Sequence, residues 1–122
     1  MIMTFDSYAW IEYFSGSEKG KKVKQIIDGN DQIYTPSVCL MEIKSKFIKE
    51  KKPYVEYLNS IMERSSITVL DADIALAAAD IKEKEGLASV DALIYATALS
   101  KKTILLTGDQ HFRGKKEVDF LL

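Results

Sequence analysis

SVDALIYATALSKKTILLTGDQHF, residues 89–112, holds the two halves of an α/β unit. Val90, Leu93, Ile94, Tyr95, Ala96, Ala98 and Leu99 leave a helix over 90–100 almost no polar face, so it belongs in an interior. Ser89 is the expected N-cap. Residues 103–107, TILLT, then form a β-run apolar on both faces, the pattern of a parallel strand covered on either side. Two carboxylates interrupt this apolar stretch. Asp91 sits in the first turn of the helix, and Asp109 follows the strand by two residues.

Working outward, short β-runs alternate with helical patterns along the whole chain. IMTF (2–5) predicts a strand, 7–14 a helix, and 18–28 a second helix ended by Gly29. QIYT (32–35) predicts a strand, after which Thr35 caps and Pro36 opens a helix carrying Val38, Leu40, Met41, Ile43, Phe47 and Ile48. Pro53 opens a helix with Tyr54, Leu58, Ile61 and Met62, and SITVL (66–70) predicts a strand. An Ala-rich helix over 72–85 ends at Gly86, and VDFLL (118–122) is a last short strand. The alternation predicts an α/β fold, a three-layer α/β/α sandwich with a mostly parallel central sheet.

The chain has 122 residues, 47% hydrophobic and 29% charged, which suits one soluble domain over 1–122. A net charge of −1 excludes a global field that draws in nucleic acid, so an anionic partner requires local basic patches. Cys39 is the only cysteine, which excludes an internal disulfide. MIMTFDSYAW lacks the basic-then-apolar pattern of a signal peptide, and no apolar run nears the ~20 residues of a membrane span. A cytoplasmic location is expected.

In parallel α/β sheets, ligands bind beyond the carboxyl ends of the strands. Four acids fall there by sequence: Asp6 directly after IMTF, Glu42 in the helix after QIYT, Asp91, and Asp109. Each has a plainer explanation. Asp6 suits an N-cap, Asp109 a turn, and Asp91 a first-turn position favoured by the helix dipole. Glu42 is the hardest to explain away, because Leu40, Met41 and Ile43 surround it with apolar sequence. Converging carboxylates raise one another's pKa, and a hard divalent cation relieves the repulsion.

FDSYAWIEYF (5–14), TPSVCLMEI (35–43), GLASVDALIYATAL (86–99) and ILLTGDQHF (104–112) together resemble, in order and spacing, the PIN-domain nucleases, in particular the VapC-type toxins of toxin–antitoxin pairs. The resemblance runs nearly the whole length. It implies an endoribonuclease dependent on Mg²⁺ or Mn²⁺, with Asp6, Glu42, Asp91 and Asp109 as its acidic quartet and Asp6, Asp91 and Asp109 as metal ligands. Thr107 matches the family's hydroxyl two residues before the last acid, and Ser7 the small hydroxyl after the first; both are expected to fix carboxylates. The resemblance also implies an RNA substrate, a homodimer, and a VapB-type antitoxin whose C-terminal segment covers the groove.

Lys46 and Lys49 lie one and two turns beyond Glu42, and Arg113 and Lys115 follow Asp109; these are the phosphate-binding candidates. His111, the only histidine, reads as a structural loop residue, Cys39 as a small core residue, and Trp10, Tyr13 and Phe14 as core or dimer surface. A response-regulator receiver is excluded by the single acid after strand one, and a haloacid-dehalogenase phosphatase by Tyr8 in place of a second Asp. The remaining alternatives are an RNA-processing PIN nuclease without an antitoxin, and a PIN-like module that binds without cleaving.

Overall fold

The strands are short and each is followed by a chain reversal, so the sheet is assembled by helices crossing from one strand's end to the next strand's start. The computed structural model describes residues 1–122. In order, its elements are β1 (Ile2–Phe5), α1 (Ser7–Ser15), α2 (Glu18–Ile27), β2 (Gln32–Pro36), α3 (Ser37–Lys49), α4 (Val55–Arg64), β3 (Ser66–Thr68), α5 (Ala72–Glu85), α6 (Ser89–Ser100), β4 (Ile104–Thr107) and β5 (Val118–Phe120). A 3-10 turn, Gln110–Phe112, separates the last two strands. The five strands are ordered β3-β2-β1-β4-β5, and every pairing is parallel.

The two-residue period of the strands divides the interior in two. Met3 and Phe5 of β1, Ile33 of β2 and Leu106 of β4 enter one core with Trp10, Val23, Ile43, Phe47 and Ile61 from α1 to α4. Leu105 faces the other core, built on Ile74 and Ala78 of α5 and Ala92, Ile94, Tyr95, Ala96 and Ala98 of α6. This is why the β4 run is apolar on both faces. It is also why α6 carries so few polar residues: five of its side chains sit in this one cluster. Thr4, between Met3 and Phe5, is fully buried, and its hydroxyl pairs with that of Thr103 at 2.6 Å. On the first face α1 and α2 approach closely at Gly20, where an added Cβ would lie 2.0 Å from the Glu12 carbonyl oxygen.

The structure moves several element boundaries. Thr35 does not cap α3. Its hydroxyl accepts the Trp10 indole N–H at 3.0 Å and pairs with Ser65 at 2.8 Å, while Pro36 stands at the cap without a side-chain bond. A buried indole N–H left unpaired is costly, so it claims the hydroxyl that a helix start would otherwise use. Ala88, not Ser89, occupies the cap of α6, without a side-chain bond, next to buried Leu87. SITVL forms a strand only to Thr68. That residue pairs with Pro36, the last of β2, and beyond it the strand has no neighbour; Val69 and Leu70 are exposed. Pro53 precedes α4, which begins at Val55. No helix is long and apolar enough to cross a membrane.

Candidate active site

Topology decides which side chains meet. β1 and β4 are parallel neighbours with Phe5 opposite Leu106, so Asp6 and Thr107 emerge side by side at the carboxyl edge. α6 must return the chain to the start of β4, so its first turn, with Asp91, stands at that same edge. α3 leaves the end of β2 and presents Glu42 from the side. Asp6, Glu42, Asp91 and Asp109 line one cleft of about 350 Å³, with Ser7, Tyr8, Ile11, Glu12, Lys46 and Ile94.

Asp6 does two jobs. One oxygen caps α1, accepting the Ala9 N–H at 2.9 Å, and the side chain is only 3% exposed. Burial pushes its carboxyl up to about 7, hydrogen bonds from Thr107 and Ala9 oppose the rise, and the charges of Asp109 and Glu42 add to it. The Thr107 hydroxyl accepts the Asp109 N–H at 3.0 Å, so it ties the first acid to the loop carrying the last. Ser7 donates to Glu42 at 2.5 Å, which gives this carboxylate a partner inside the cleft wall. Ser7 thus contacts Glu42, and Thr107 stands beside Asp6 and holds its carboxyl down.

Asp109 caps the 3-10 turn, accepting the His111 N–H at 3.0 Å. The peptide before it is held by Tyr8: a Cβ at Gly108 would lie 2.3 Å from the Tyr8 ring. Asp91 is half-buried, and its carboxyl is raised by desolvation and by Asp109, with His111 opposing. The His111 Nδ1 lies 3.1 Å from one Asp91 oxygen and 3.2 Å from one Asp109 oxygen. The only histidine, expected to be a structural loop residue, is 69% exposed and sets its Nδ1 beside two of the four acids. Its place two residues after Asp109 was the available signal; the partner, Asp91, is twenty residues away and became visible only in the fold. Tyr8, Glu12 and Ile94 likewise line the cleft without a sequence motif to announce them.

The lysine and arginine candidates separate. Lys46 lines the cleft and pairs with Glu50 at 2.6 Å. Lys49 is exposed further along α3. Arg113 lies over the Phe120 ring at 5.3 Å, and Lys115 pairs with Glu85 at 3.2 Å. Neither lines the cleft. Cys39 and Trp10 are core residues, and burial raises the Cys39 thiol, which keeps it neutral. A larger depression of about 600 Å³ lies at the β3 edge, but its Asp71 is the α5 cap.

The donor set fits a hard divalent cation. Carboxylate oxygens dominate, they repel one another, and single ligand atoms of Asp91, Asp109 and His111 lie within 4.8 Å of each other.

Several solved structures share this architecture. A chain of a toxin–antitoxin complex from Klebsiella pneumoniae superposes with a TM-score of 0.83 at 22% identity, covering 98% of each chain. VapBC2 from Rickettsia felis, bound to a DNA fragment from its promoter, gives 0.76 at 19% identity, covering 98% of this chain and 97% of that one. VapC20 from Mycobacterium tuberculosis, a sarcin–ricin loop cleaving toxin, gives 0.75 at 14% identity, covering 93% and 95%. At these identities the likeness establishes the fold. No curated protein is matched by sequence. The PIN domain family model matches residues 3–118, and the chain belongs to the PIN domain family.

Proposed function

We propose that residues 1–122 act as one PIN domain that is a metal-dependent endoribonuclease, the toxin of a VapBC-type pair. The observation that carries the reading is the meeting of four carboxylates, from four separate segments, in one cleft at the carboxyl edge of the sheet. A fold does not by itself specify an activity, so the site must carry the argument. RNA as substrate and an antitoxin as partner draw support from the neighbours, which include an RNA-cleaving toxin and toxin–antitoxin complexes.

Asp6, Asp91 and Asp109 would hold Mg²⁺ or Mn²⁺, and Glu42, oriented by Ser7, would complete the acidic cluster. When bound, the cation supplies Lewis acidity toward the scissile phosphodiester and its attacking water. The chain's own groups do the rest. Thr107 keeps Asp6 and the Asp109 backbone in fixed relation. Tyr8 braces the Gly108 peptide, so Asp109 has little freedom. Lys46, in the cleft wall, takes a backbone phosphate, with Lys49, Arg113 and Lys115 as further contacts outside it. Attack is in line and needs no covalent enzyme intermediate. The active species is a homodimer in the cytoplasm, held inactive when the antitoxin's C-terminal segment covers the cleft.

The test is cleavage of a structured RNA pool with Mn²⁺, Mg²⁺ or EDTA, with Asp91→Asn purified in parallel. Cutting by wild type alone, and only with metal, supports the reading. Equal cutting by both proteins, or by neither, overturns it.

A further inference from the structure

Resting on that metal-binding reading, we propose that His111 is a direct ligand of the cation, and that its imidazole makes the site favour a transition cation over Mg²⁺. Bond lengths of about 2.1 Å place adjacent corners of an octahedron about 3.0 Å apart. The His111 Nδ1 stands 3.1 Å from the Asp91 oxygen and 3.2 Å from the Asp109 oxygen, close to that spacing on both sides. The third separation also falls within the 4.8 Å that encloses all three atoms.

The turn delivers the ring together with its acid. Asp109 accepts the His111 N–H through its side chain and the Phe112 N–H, at 3.0 Å, through its carbonyl. Phe112 is fully buried against Tyr95, which anchors the turn from below. His111 therefore needs no rearrangement of backbone to share a cation with Asp109. The side chain is 69% exposed and lies outside the residues that line the cleft, so solvent reaches it freely.

The chemistry separates the two cations. Mg²⁺ prefers an all-oxygen shell and keeps its waters, whereas a nitrogen donor is accepted more readily by divalent first-row transition metals, among which Mn²⁺ binds most weakly. A quartet of carboxylates alone would discriminate weakly; one imidazole added to two of them discriminates more.

The competing role is that of an internal cation, which occupies the acids and must be displaced by metal. The two roles predict opposite signs. Metal-free wild type, His111→Ala and Asp91→Asn are titrated with Mn²⁺, followed by loss of the free-ion paramagnetic resonance signal, and with Mg²⁺ by competition. Spin-echo modulation reports nitrogen coupled to bound Mn²⁺. His111→Ala is expected to bind Mn²⁺ about tenfold or more weakly, to change Mg²⁺ binding by about twofold or less, and to lose the nitrogen modulation. Unchanged or tighter Mn²⁺ binding in His111→Ala, equal losses for both metals, or no nitrogen coupling in wild type overturns the assignment. The Asp91→Asn arm separates the two levels. If it weakens Mn²⁺ binding and His111→Ala does not, the acidic metal site stands and the histidine ligand falls. If wild type and Asp91→Asn bind alike, the metal site falls with it.

Discussion

Replacing Asp6 with Asn should make the metal-free protein more stable, although it removes a side chain at the centre of the site. In the unfolded chain this carboxyl ionises near its ordinary 3.8; in the folded chain burial and neighbouring acids push it up to about 7. A raised carboxyl pKa means that the folded state disfavours the charged form. The penalty is absent below 3.8, grows as pH rises between the two values, and is complete above 7. At about 1.4 kcal/mol per pH unit, the gap corresponds to about 4 kcal/mol. Asn is neutral at every pH and is as good an N-cap as Asp, so the Ala9 N–H keeps its partner. For a chain of this size, 4 kcal/mol is roughly 12–20 °C in Tm. Thermal melts in EDTA should show that excess at pH 8 and less than half of it at pH 5. Saturating Mg²⁺ should narrow the gap, because only wild type has the carboxylate to offer. A variant that melts at or below wild type at pH 8 in EDTA, or a gap that does not change with pH, would refute the reasoning.

Three further outcomes follow from contacts in the same region. Gly108→Ala should drive Tyr8 out of place, cost about 1–3 kcal/mol by denaturant unfolding, and cut RNA cleavage by more than the stability loss explains. Thr35→Val should cost about 1–3 kcal/mol, since it orphans the Trp10 indole N–H, and should leave metal binding unaltered in a titration. Lys46→Ala should weaken RNA binding and lower the salt slope by about one, whereas Lys115→Ala, outside the cleft and paired with Glu85, should lower it by less.

Much of the fold was legible because the signals are local. The doubly apolar β4 run and the polar-poor α6 follow from a sheet covered on both faces, and each can be read within a dozen residues. The boundaries that moved share another cause. Thr35 has the right side chain for a cap but is taken by a buried indole from another segment. SITVL has five residues of β-type sequence, but its neighbour turns into a helix after Pro36, so only three of them pair. Local propensity proposes an element, and the available partner decides its length.

The site divides the same way. The sequence by itself singled out the four acids: Asp6, Asp91 and Asp109 lie close to a strand end or in the first turn of a helix, and Glu42 stands out by its apolar neighbours, while the two hydroxyls came from the family resemblance; a parallel sheet carries its strand ends to one edge. Only the tertiary structure decided that His111 lies between Asp91 and Asp109, that Lys46 lines the cleft while Arg113 and Lys115 do not, and that Tyr8 braces Gly108. The physical reason is distance along the chain. Which strand end a residue follows is a property of a few neighbouring residues, but which side chains touch depends on the register of β1 against β4 and on the packing of α6, contacts closed across tens of residues.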